Sequence, residues 1–139
     1  MENISTLSSS SVQYYVTSRK WLSDLEFFKI ETAFLHRLLD EHFTPLSDQT
    51  YILKLRQVGK RLLNLEKDEK EAHQLIKDQL KRVELISENL IPEIKEALPV
   101  AQAELEITMT KLTAEYREVK KELFRLVECV MHKNKFLLS

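Results

Sequence analysis

YILKLRQVGKRLLNLEKDEKEAHQLIKDQLKRVELISENL, residues 51–90, is the stretch on which the fold turns. Alternate steps of four and three residues meet Tyr51, Leu55, Val58, Leu62, Leu65, Glu69, Ala72, Ile76, Gln79, Val83, Ile86 and Leu90. Only Glu69 and Gln79 interrupt the apolar series. A 3.5-residue period held for so long is the seam of a left-handed helical supercoil. A helix from about Asp48 to Leu90 would be on the order of 65 Å long. A helix of that length requires partners, and the flanking segments must supply them.

Toward the C-terminus, Leu105, Met109, Leu112, Tyr116, Val119, Leu123, Leu126 and Val130 repeat the same spacing, predicting a third helix over about 99–133. Phe124, Val127 and Met131 widen its apolar face, so this end is expected to be enclosed on more than one side. Pro92 and Pro99 bracket the preceding corner, 89–99, where a short helical turn or kink is expected. Toward the N-terminus, helical spacing over about 12–43 places Tyr14, Trp21, Leu25, Phe28, Leu35 and Leu39 on one stripe and Phe27, Phe34 and Leu38 on another. Two stripes predict two neighbours, with Glu26, Lys29, His36, Arg37 and Asp40 as a polar wedge facing water. Pro45 breaks the chain before the second helix, and Ser47 or Asp48 is placed to cap that helix. Residues 1–11, rich in serine, are expected to fray.

Short corners set sequential helices antiparallel. The expectation is an all-α single domain, an elongated up-down-up antiparallel three-helix bundle with coiled-coil-like packing and a long central helix. Folding about the corners sets Trp21 near Glu69 and Glu69 near Lys121. Gly59 lies off the seam, where it would let a partner approach closely. Glu66 with Lys70 and Asp78 with Arg82 are expected as exposed pairs four residues apart.

Composition narrows the function. One glycine and three prolines among 139 residues are too few for a β-rich fold. Charged residues make up 31% of the chain yet leave a net charge of -1, so no global field draws it to nucleic acid or anionic lipid. The basic run Lys54, Arg56, Lys60, Arg61 and Lys67 does not share one helical face and reads as a solvated surface. No apolar run reaches the roughly 18 residues of a membrane span, and residues 1–11 do not resemble a signal peptide. Cys129, the only cysteine, excludes an internal disulfide and fits a reducing compartment. A cytoplasmic protein is expected, with no nucleic-acid or membrane partner.

Candidate chemistry is sparse. A carboxylate-bridged di-metal site in a bundle needs Glu-x-x-His, but Ala33, Leu39, Lys70 and Cys129 stand three residues before His36, His42, His73 and His132. Cys129 and His132 share a spacing suited to two metal ligands, but His132 falls among solvated residues. One glycine allows no phosphate-cradling loop. No catalytic, cofactor or metal residue is assigned and no enzyme activity is expected. Glu31, between the two stripes of the first helix, and Glu69, in the seam, read as structural buried acids. Arg56 or Lys60 is the expected partner of Glu31, and Lys120 or Lys121 that of Glu69. Gln79 reads as a register-setting or partner-selecting residue.

The expected function is that of a non-catalytic bundle acting through self-association, as a homodimer, or through docking of another helical protein. The alternative is a small-molecule- or metal-binding bundle. A first helix of about 30 residues would leave roughly 20 Å of the second and third helices uncovered. Leu80, Val83, Ile86 and Ile107 are the candidate interface on that overhang, and the competing expectation is that residues 1–15 fold over it.

Overall fold

A computed structural model describes residues 9–46, 49–88, 90 and 97–138, with side chains at 9–41, 51–88, 90, 97–129 and 131. Three helices account for the fold: α1 (Ser9–Leu46), α2 (Gln49–Ser87) and α3 (Ala97–Leu138). They pack against one another as an all-α three-helix bundle, with no strand among the described residues.

The α2 seam is the core. Leu55, Val58, Leu62, Leu65, Glu69, Ala72, Ile76, Gln79, Val83 and Ile86 are all buried, and so are Leu105, Met109, Leu112, Tyr116, Val119, Leu123 and Leu126 of α3. At the ends of the α2 series Tyr51 is half-buried and Leu90 is exposed. Leu98 and Gln102, both buried, extend the α3 series toward its N-terminus.

In α1 the buried residues are Ser11, Ser18, Leu25, Thr32, Leu35 and Leu39, with Tyr14, Trp21 and Phe28 half-buried. Together they form an uninterrupted three-four ladder that includes three hydroxyl residues. The second expected stripe is not core: Phe27 and Phe34 are exposed and Leu38 is half-buried. A hydroxyl at a seam position hides the period from any search for apolar residues. Thr32 Oγ1 satisfies itself by donating to Phe28 O at 2.6 Å, the bond by which threonine is tolerated inside a helix.

The helix ends depart from expectation. α1 begins at Ser9, so Ser9–Ser11 are helical rather than frayed, and it continues through Pro45 to Leu46. A proline this close to the end costs one hydrogen bond in a turn that is already finishing. α2 stops at Ser87, where Ser87 Oγ donates to Glu84 O at 2.7 Å. A bond from Leu90 N to Leu85 O at 2.9 Å then closes the end, the six-to-one bond of a Schellman cap. Pro99 is the third residue of α3, where a missing N–H leaves no helical acceptor wanting. The short turn expected between Pro92 and Pro99 falls mostly on residues 91–96, outside the described residues, as do residues 1–8 and the capping candidates Ser47 and Asp48.

The chain forms two compact units, each drawing on all three helices. Unit 1 comprises residues 1–27 and 69–111, and unit 2 residues 28–68 and 112–139. In unit 1, Val12, Tyr14 and Tyr15 pack on a core of Val83, Ile86 and Leu98. In unit 2, His36 of α1 meets Glu66 of α2, and Arg61 of α2 pairs with Glu115 of α3 at 2.9 Å. These contacts shift the α1–α2 register by roughly ten residues, about 15 Å, from the expected pairing of Trp21 with Glu69. No close approach requires Gly59, since a methyl there would meet Leu39 Cδ2 at 3.8 Å, an ordinary contact.

Candidate functional site

Within unit 2, α1 and α3 are joined by a polar cluster on an aromatic base. Tyr116 Oη donates to Glu31 Oε2, and Lys120 Nζ donates to the same oxygen at 3.1 Å. The spacing of Tyr116 and Lys120 is one helical turn, so both side chains emerge from the same side of α3 and converge on one carboxylate. Phe28 supports the phenol, with ring centroids 4.9 Å apart. The Lys120 ammonium lies 5.7 Å from the centre of the Tyr116 ring and 5.8 Å from that of Phe124, within reach of both quadrupoles.

The Glu31 carboxyl is held below the usual carboxylate range, first by the Tyr116 hydroxyl and then by Lys120, with desolvation opposing them. Glu31 is therefore a half-buried acid held by two side chains of α3. Its partners lie on α3, not at Arg56 or Lys60 of α2. Lys120 is consequently engaged by Glu31 rather than by Glu69. Glu69 itself is buried in the seam.

Beside this cluster unit 2 carries exposed apolar side chains on both helices: Ile30 and Phe34 on α1, and Phe124 and Met131 on α3. Enclosure of the α3 end on several sides thus fails for Phe124 and Met131, while Val127 is buried. On the opposite flank of α3, Arg61 is kept protonated by its bond to Glu115 and by the fields of Glu118 and Glu122. The basic run is split accordingly: Arg61 is paired, and Lys54, Arg56, Lys60 and Lys67 face solvent.

Unit 1 holds a polar layer with one residue from each helix. Gln79 Nε2 donates to Leu98 O at 3.2 Å and to Gln102 Oε1 at 3.3 Å, and Ser18 Oγ donates to the same Gln102 oxygen at 3.4 Å. Arg82 Nη1 donates to Gln79 Oε1 at 3.2 Å. Gln79 has thus spent both amide hydrogens inside the bundle, as a register-setting residue must. Arg82 is engaged here and Asp78 accepts from Gln74 at 2.9 Å, in place of the expected Asp78–Arg82 pair. The partner expected for Lys70, Glu66, meets His36 instead. A groove of about 250 Å³ opens beside the layer, between Leu75, Asp78, Arg82, Ala101, Glu104 and Thr108. Ser18 and Gln102 were not singled out by residue type, yet their seven- and three-four spacings from Leu25 and Leu105 mark them as seam positions.

The overhang that would have exposed Leu80, Val83 and Ile86 does not exist. α1 and α2 have 38 and 39 residues, and Leu80, Val83 and Ile86 are buried in unit 1. Those three are core rather than interface, and only Ile107 of that set is exposed. Val12, Tyr14 and Tyr15 pack on this core, and the rest of the competing expectation, for residues 1–8, lies outside the described residues. Cys129 is an exposed free thiol, and the side chain of His132 lies outside the described residues. Among the described residues no group of three or more His, Cys, Asp or Glu is placed to hold a metal ion. No helix there is long and apolar enough to cross a membrane.

No protein-family model, curated protein or solved structure matches the chain.

Proposed function

We propose that the chain is a non-catalytic helical bundle that works by helix–helix association, with a second copy of itself or with another helical protein. The observation that carries this reading is the exposure of Ile30, Phe34, Phe124 and Met131 in unit 2. These are large side chains on two helices whose seams are already filled, so they add nothing to the core and cost hydration unless covered. A small-molecule-binding bundle is the second reading, favoured by the groove at Leu75, Arg82 and Thr108. Its acids Asp78 and Glu104 and its single base Arg82 converge on no one ligand charge.

The two readings part on protein purified without chelator. Helix association predicts a species heavier than the chain, or a co-purifying helical protein, and neither metal nor chromophore in stoichiometric amount. A monomer carrying a stoichiometric metal or an absorbing ligand would overturn it.

A further inference from the structure

We infer that the α1–α3 face of unit 2 is a two-fold interface on which a second copy of this chain docks antiparallel, with Lys121 of one copy meeting Glu128 of the other. This deepens the helix-association reading and rests on it.

Phe28 lies against Tyr116, and Glu31, further along α1, reaches Lys120, further along α3, so the two helices rise side by side in the same direction through this unit. Equal rise then sets Ile30 level with Arg117, Phe34 with Lys121, Arg37 with Phe124 and Glu41 with Glu128. Arg117, Lys121, Arg37, Glu41 and Glu128 are all exposed. The face is therefore basic from the level of Ile30 up to that of Phe124, where Arg37 lies, and acidic at Glu41 and Glu128. The Glu31–Lys120 pair cancels internally and leaves that polarity unchanged.

A two-fold axis midway between Lys121 and Glu128, perpendicular to the helices, lays α3 on α3 in opposite directions. The basic level of each copy then falls on the acidic level of the other. Lys121 meets Glu128 twice by symmetry, and Arg37 comes within a helical turn of Glu41. Phe124 of the two copies meet at the axis, with Phe34 of each about one helical turn away. A parallel arrangement would set Lys121 level with Lys121 and Glu128 level with Glu128, like against like, and is disfavoured by the same charges. An isologous contact of this kind closes on itself and stops at two copies.

Sedimentation equilibrium of the full chain tests the arrangement. Wild type should dimerise reversibly. Lys121→Glu and Glu128→Lys should each raise the dissociation constant by roughly three- to tenfold, since each breaks two rim pairs. The double variant carrying both reversals should return it toward the wild-type value, because the pairs are re-formed with signs exchanged. Helical circular dichroism, with Lys121→Gln and Glu128→Gln as milder variants, keeps the test open if a reversal unfolds the chain. Association that ignores both reversals would overturn this face while leaving helix association standing. A wild type that stays monomeric at every concentration would overturn the second copy as occupant. Loss of the helix-association reading itself would show instead as bound metal or chromophore.

Discussion

Glu31 shows how one side chain links pH to the bundle. Its folded-state pKa is depressed below the ordinary 4.5 by Tyr116 and Lys120. It therefore contributes stability that is complete above the unfolded value and is lost as pH falls through the folded one. Denaturant midpoints measured from pH 7 to pH 2 should fall on the acid side, and Glu31→Gln should flatten that fall. Equal acid sensitivity in both proteins would show that the cluster is not ionised as described. The polar layer of unit 1 makes a second demand at this scale. Gln102→Ala removes the acceptor shared by Ser18 and Gln79, leaving buried donors unmet, and should destabilise by about 1–3 kcal/mol in chemical denaturation.

Among the elements, α2 carries an unbroken buried series, and truncations along it are informative. Leu62 is wholly buried, so Leu62→Ala should cost roughly 2–5 kcal/mol through lost burial and the cavity left behind. Leu80→Glu should unfold or strongly destabilise the chain, whereas Ile107→Glu, at an exposed site, should change stability by less than about 0.5 kcal/mol. Equal effects at the two positions would contradict their placement. Gly59→Ala has room for its methyl and should stabilise α2 by about 0.5–1 kcal/mol. The seams of α2 and α3 were legible because apolar residues occupy nearly every position. In α1 the stripe from Tyr14 to Leu39 was legible too, but Ser11, Ser18 and Thr32 fill seam positions that no apolar pattern marks, while Phe27, Ile30 and Phe34 lie outside. Hydrophobic period alone moved its start and its register, and with them the supposed overhang. The Glu31 cluster was half legible, since the acid stood out between stripes but its partner helix depends on register. The Ser18–Gln79–Gln102 layer was legible only at Gln79.

At the scale of the whole molecule, the proposed association would draw on residues other than those that hold the fold. The seams and the two polar clusters hold the helices in register, and Ile30, Phe34, Phe124 and Met131 are left outside them. Replacing exposed Phe34 and Phe124 with serine should leave the denaturation midpoint near wild type while removing the surface on which a second helix pair would rest. Light scattering coupled to size exclusion, run across a dilution series on wild type and on the Phe34→Ser, Phe124→Ser double variant, tests this division most directly. The expected wild-type mass approaches twice the 16.4 kDa of one chain at high concentration and falls toward it on dilution, with the variant at the single-chain mass throughout. A folded variant that associates as strongly as wild type, or a wild type of single-chain mass at every concentration, would contradict it.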